Sequence, residues 1–364
     1  MVCPCTNLPT LVTNPRARTG PAGSTELTLP MPPRFAPSPF LYRPPRMSHN
    51  VRVSFQPDQA RPKLAELSSR GVFLGTSSWK YPGWCGTLYD RARYEWRGKF
   101  AESRFNRNCL AEYAEVFKTV SVDAAYYAFP TRPYLEGLAG QVPEGFLFGF
   151  KVTDTITLKQ FPNLDRFGVR AGKPNPDFLN AERFAEAFLQ PCEAVRDKVG
   201  LLMFEFSRFW PGDYPHGRDF VADLDRFLGR LPQGWPYAVE IRNRGWLQPE
   251  YFQCLARHGV AHVFNSWEAM PAVSEQMALA GSRPNPALVA ARFLLKPGRT
   301  YEAAVKAFQP YDQVKEEYPE ARAAARALIA EGQAAGSARR TFIYVNNRLE
   351  GNALETIAAL LEPA

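Results

Sequence analysis

The strongest constraint on this chain is a rhythm. Eight short runs of β-branched and aromatic residues, at 72–79, 119–124, 146–153, 201–207, 237–243, 260–267, 288–295 and 341–347, alternate with longer amphipathic stretches. Runs that are apolar almost throughout are the mark of strands covered on both faces, and their alternation with helical periodicity predicts repeated strand–helix units and a parallel sheet. Helical patterns occupy 109–117, 181–199, 218–231, 249–258 and 300–335, and 351–361 closes the count. Eight strands with eight connections is the number of a (β/α)8, or TIM, barrel. An open doubly wound sheet would more usually carry five to seven strands and a glycine-rich first turn, but Gly75-Thr76-Ser77-Ser78-Trp79 contains no G-x-G-x-x-G.

Loop lengths point the same way. Connections entering strands are short, whereas those leaving them at 80–108, 154–180 and 208–217 are long and hold Trp84, Tyr89, Tyr94, Trp96, Phe161, Phe167 and Trp210. In such barrels the outgoing loops build the functional face, at the C-terminal ends of the strands.

Charge inside a strand buried on both faces is costly unless it is paired or used, and period-two alternation tells which face carries it. In the fifth run Val239 and Ile241 share one face, leaving Ala238, Glu240 and Arg242 on the other. The same parity sets Lys151 opposite Phe150 and Val152, Glu205 opposite Phe204 and Phe206, and Asp123 opposite Val122, while Arg292 and Asn346 come from the last two strands. With the apolar faces toward the helices, Asp123, Lys151, Glu205, Glu240, Arg242, Arg292 and Asn346 converge at the barrel mouth. Two arginines and a lysine beside amides suit a phosphate or carboxylate, and a carboxylate there can move protons. We therefore take Glu240, Lys151, Asp123 and Glu205 as candidate catalytic groups, and Arg242, Arg292, Asn346, Asn347, Trp79, Tyr127 and Trp246 as candidate ligand-binding groups. A purely structural ion network satisfies the same parity and stands as the alternative.

The 364 residues accommodate one barrel of roughly 250 residues and an appendage. Residues 1–70 hold nine of the basic residues and only Glu26, Asp58 and Glu66 as acids, so most of the net charge of +8 sits there and little is left to mark the barrel as a polyanion surface. That segment is crowded with prolines between Pro30 and Pro45 and shows no sustained apolar period, which predicts a disordered extension over 1–70, with Met47 an alternative start, and a barrel over 71–364. Leu8, Leu11 and Val12 are too scattered for a secretory signal, and no run reaches the ~20 apolar residues of a membrane span, so the expectation is a cytoplasmic protein without a membrane partner. The six cysteines include no C-x-x-C, Cys3 and Cys5 alone make an incomplete ligand set, and His49, His216, His258 and His262 suggest no metal triad. No cofactor and no metal are expected, and a zinc hydrolase is disfavoured.

The segment 75–89 (GTSSWKYPGWCGTLY), the pair Phe150-Lys151, the run Ala238-Val239-Glu240-Ile241-Arg242-Asn243 with Trp246, and the ending Tyr344-Val345-Asn346-Asn347 with Gly351 and Ala353 resemble the YecE-like family, domain of unknown function seventy-two. The resemblance spans about 72–361 and implies a TIM barrel with a pocket on the C-terminal face but no established reaction. A suggested kinship of that family with the barrels of endonuclease IV and sugar isomerases would imply nucleic-acid or sugar-phosphate ligands. This chain departs from the family pattern at Ser121, at Leu158 where His is customary, at Glu205 where Gln is usual, at Asn265 where Asp is common, and at Leu294-Leu295 where the strand tends to read H-G. Lys151, Glu240, Arg242, Arg292 and Asn346 match it. The resulting expectation is a metal-independent barrel protein that binds, and hydrolyses or isomerises, a small phosphorylated or otherwise anionic ligand. The alternative is a nucleic-acid-binding or non-catalytic scaffold protein using the same face.

Overall fold

A computed structural model describes residues 54–363 of the chain. The strands β1 (Val72–Thr76), β2 (Thr119–Val122), β3 (Leu147–Lys151), β4 (Val199–Phe206), β5 (Tyr237–Ile241), β6 (Ala261–Ser266), β7 (Leu288–Phe293) and β8 (Arg340–Val345) pair in parallel and close into a barrel in which β1 meets both β2 and β8. All eight predicted strands are present. Several end about two residues earlier than the apolar runs suggest, because those last residues turn out of the sheet to build the upper loops.

The helices are α1 (Pro57–Ser69), α2 (Glu102–Val116), α3 (Arg132–Ala139), α4 (Gly217–Leu228), α5 (Pro249–Arg257), α6 (Val273–Ala278), α7 (Tyr301–Phe308), α8 (Pro319–Ala335) and α9 (Ala353–Leu361), with an irregular helical stretch over 181–198. The long helix expected over 300–335 is two, since Pro310 removes a backbone donor needed inside a helix and Pro319 opens the second. Helix α1 corrects the expected extent of the disordered extension. Ala60, Leu64 and Leu67 form a buried stripe on it, Phe55 stacks on Phe117 with ring centroids 5.9 Å apart, and Lys63 pairs with Glu362 at 3.0 Å. A narrow stripe in a Pro- and Arg-rich segment is easily masked in composition, but it suffices to dock a helix. The rest of that expectation, over 1–53, lies outside the described residues. Among the described residues no helix is long and apolar enough to cross a membrane.

Inside the barrel the inward side chains fall into two tiers. The lower tier is apolar: Phe73, Leu147, Leu201, Met203, Ala238, Ala261, Val263, Leu288, Ala290, Phe342 and Tyr344 form one buried cluster. Gly149 on β3 lacks a Cβ where one would collide with the Tyr344 ring, and this lets the phenol cross the lumen to meet Thr119 Oγ1 at 3.1 Å. Above that ring the next inward positions are ionic.

Candidate functional site at the barrel mouth

Parity carries Lys151, Glu205, Glu240 and Arg292 to the last inward positions of β3, β4, β5 and β7, each of them buried. Glu205 and Glu240 lie in register on neighbouring strands and would repel one another without a cation between them. Arg292 supplies it, with Nη1 donating at 2.7 Å to Glu205 Oε2 and at 2.7 Å to Glu240 Oε2. Lys151 Nζ reaches the same Glu205 oxygen at 2.7 Å, and Arg242 lies 3.0 Å from it through Nη2 and 3.3 Å from Glu240 through Nε. Asp123, on the rim, completes the set at 3.7 Å from Arg292. The predicted convergence of these six charged groups is therefore observed.

Their environment assigns them different chemistry. Burial would raise the Glu205 carboxyl, but Arg242, Lys151 and Arg292 outweigh it and hold the group well below the usual carboxylate range. A carboxylate held that low is a poor proton acceptor near neutral pH and is better suited to holding the cations around it. Desolvation pulls the Lys151 ammonium below its ordinary value against the attraction of Glu205 and Asp123, and its Nζ sits 3.6 Å from the centre of the Tyr126 ring. For Arg292 burial opposes the charge, yet Glu240, Glu205 and Asp123 keep it charged beyond its ordinary range. Asp154, in the first turn after β3, is a carboxyl pushed upward by burial despite Arg166 at 2.6 Å.

The other predicted ligand-binding residues are distributed differently. Asn346 Oδ1 accepts from the Arg348 amide at 2.9 Å and caps the single-turn helix Asn347–Glu350, while Asn347 Oδ1 accepts from the Ala353 amide at 2.8 Å, leaving its buried Nδ2 without a hydrogen-bond partner. Trp79 is buried just beyond β1 and its indole Nε1 is likewise unpartnered. Tyr127 is 54% exposed on the rim, its ring 5.4 Å from Tyr126 and 5.1 Å from the Arg166 guanidinium. Trp246 clusters with Phe209 (5.5 Å) and Phe220 (5.3 Å), which also touch each other, and lines a surface cavity of about 290 Å³ with His216, Arg218 and Tyr251, outside the charged cluster.

Three contributors were missed. The Trp267 ring lies 3.7 Å from the Arg242 guanidinium carbon, Tyr126 floors Lys151, and Arg348 follows β8 with its guanidinium over Tyr301 at 4.6 Å and within the field of Asp123. The sequence reading chose Tyr127, but spacing could not tell which of the adjacent rings faces inward. Nothing local marks Arg348.

Away from the mouth, one group among the described residues gathers metal-ligand atoms: Asp225 on α4 with Cys254 and His258 on α5. Cys254 and His258 are four residues apart, a spacing that stacks side chains on one helix face and that the sequence reading passed over.

The family model described as "Protein of unknown function DUF72" matches residues 73–364. Among solved structures, a DUF72 family protein of Enterococcus faecalis is 18% identical, covering 80% of this chain and 96% of its own with a TM-score of 0.53. One of Thermotoga maritima is also 18% identical, covering 79% and 97% with a TM-score of 0.50. These likenesses bear on the fold. Among curated proteins none matches.

Proposed function

From the premise that this chain belongs to the DUF72 family, whose description names no reaction, we propose that it binds a small anionic ligand, a carboxylate or a phosphate ester, at the C-terminal face of its barrel. The observation that carries this reading is a set of buried donors without a protein acceptor at the tops of three adjacent strands: Ser77 Oγ and Trp79 Nε1 beyond β1, Asn347 Nδ2 and Arg348 Nε beyond β8, and Arg292 Nε on β7. Buried donors are nearly always satisfied, and a ligand rich in acceptor oxygens satisfies several at once. Charge supports it. Lys151, Arg242, Arg292 and Arg348 are four cations around three carboxylates, Asp123, Glu205 and Glu240, so one positive charge is in excess at a site shielded from water.

Division of labour follows from depth. Arg292, with 4% of its side chain exposed, holds the carboxylates through Nη1 and keeps only Nε for a ligand, whereas Lys151 and Arg242, each 11% exposed at the side chain, and half-buried Arg348 are the more accessible cations. Because Glu205 and Glu240 are engaged as counter-ions, the arrangement suits binding more than proton transfer. A thermal-shift panel of inorganic phosphate, sugar phosphates, dicarboxylates and neutral sugars tests the reading, since a ligand of the folded state raises its stability by RT ln(1 + [L]/Kd). Anions should raise Tm while neutral sugars do not, and Arg242→Met and Arg348→Gln should each shrink the shift. No shift with any anion, or shifts in both variants as large as in the wild-type protein, overturns it.

A further inference from the structure

We propose that the C-terminal turns of α4 and α5 form a binding site for one divalent cation of the zinc class, held by Cys254 Sγ, His258 Nε2 and Asp225 Oδ1. The three atoms lie within 4.8 Å of one another, with Oδ1 2.9 Å from His258 Nε2 and 3.7 Å from Cys254 Sγ. Around a tetrahedral ion with bonds of about 2.0–2.3 Å, neighbouring ligand atoms stand roughly 3.3–3.7 Å apart, so side-chain shifts on the order of an ångström convert the trio into a coordination face. Thiolate, imidazole and carboxylate together select a borderline-soft ion over calcium or magnesium, which take oxygen ligands.

Backbone electrostatics favour a cation at the same place. Asp225 is in the last turn of α4, and Cys254 and His258 lie in the last turn and at the C-cap of α5, where the helices direct their unpaired carbonyls and the negative ends of their dipoles. Gly229, the C-cap of α4, has no side chain to crowd the His258 ring. Cys254 is fully buried, whereas the side chains of Asp225 and His258 are 39% and 21% exposed, so an ion can enter from solvent and keep a water as its fourth ligand. Arg257 competes, donating to the same Asp225 oxygen at 2.7 Å, but its side chain is 55% exposed and can swing aside at little cost. A thiol coordinates as thiolate, so binding displaces the sulfur's proton to buffer. The ion would tie together the two helices that flank β5 in sequence, the strand that carries Glu240.

Cobalt(II), which reports tetrahedral thiolate coordination by its absorption, is the probe. One equivalent added to the full chain at fixed pH should produce a thiolate charge-transfer band and intense visible bands, both bleached by one equivalent of zinc. The bands should persist in a Cys3→Ser/Cys5→Ser double variant and vanish in Cys254→Ser. Losing even an outer-shell partner costs about 10–100-fold in metal affinity, so His258→Gln and Asp225→Asn, both at partly exposed positions, should each weaken cobalt binding at least about tenfold. They keep the test open if Cys254→Ser does not fold. Absence of the thiolate band in the wild-type protein, or its survival unchanged in His258→Gln, overturns the site.

Discussion

The lower and upper tiers of the barrel lumen are built by the same strands and the same inward parity, yet one is an apolar cluster centred on Phe342 and Tyr344 and the other is Lys151, Glu205, Glu240, Arg242 and Arg292. The lower tier shows what closing this barrel requires: side chains that fill space and, apart from the Tyr344 hydroxyl met by Thr119, ask for no partner. The upper tier desolvates five charges and must pair every one. Apolar residues of similar volume often serve as well as a buried ion network, or better. The departure from the lower tier's solution is therefore best understood as serving the face above it.

The largest expected effects come from breaking each tier singly. Glu240→Ala strips Arg292 of one of its two close counter-ions and should destabilise by ~3–5 kcal/mol, the cost of an uncompensated buried charge. Leu201→Ala in the lower tier should cost ~2–5 kcal/mol by opening a cavity. Urea titrations measure both, and a Glu240→Ala protein as stable as wild type would mean that the upper tier is solvated. The comparison is sharpened by Lys151→Met, Glu205→Leu, Glu240→Leu, Arg242→Met and Arg292→Met combined. Stability should then be unchanged or higher by ~1–4 kcal/mol, with anion binding abolished. A large loss of stability in that variant would make the tier structural.

Acid should distinguish the upper tier from the barrel's outer layer. Because the folded-state Glu205 carboxyl is held below its unfolded value, its contribution is fully present above about pH 4.3 and is lost only as pH falls further. His262, on β6 among Tyr251, Phe252 and Phe264, is pushed by burial down to about 3. The unfolded chain protonates this group near pH 6.5 and the folded chain does not, so stability should fall on acidification below about 6.5 by up to ~1.4 kcal/mol per pH unit. His262→Gln should flatten the curve between pH 6 and 5. An identical curve in that variant would place the early acid loss elsewhere.

Strand number, lumen-facing parity and the convergence of Asp123, Lys151, Glu205, Glu240, Arg242 and Arg292 were all legible in the sequence, because a strand buried on both faces leaves charge nowhere to hide. What was not legible depended on the fold's long-range geometry. Arg348 joins the mouth only because β8 closes against β1, Trp246 belongs to the aromatic wall with Phe209 and Phe220 rather than to the mouth, and Asp225 meets Cys254 only because α4 and α5 lie side by side. Helix α1 was hidden for a different reason: three buried side chains on one stripe do little to alter the composition of a Pro- and Arg-rich segment.

The central claim is that the mouth's single excess positive charge receives an anion, and charge-balance variants test it most directly. Asp123→Asn removes a rim carboxylate 37% exposed at the side chain and should change stability by at most ~1 kcal/mol, while Arg348→Gln removes a cation within its field. Calorimetric titration with the strongest-binding anion should rank affinity as Asp123→Asn above wild type above Arg348→Gln. Equal affinities, or the reverse order, would contradict the account.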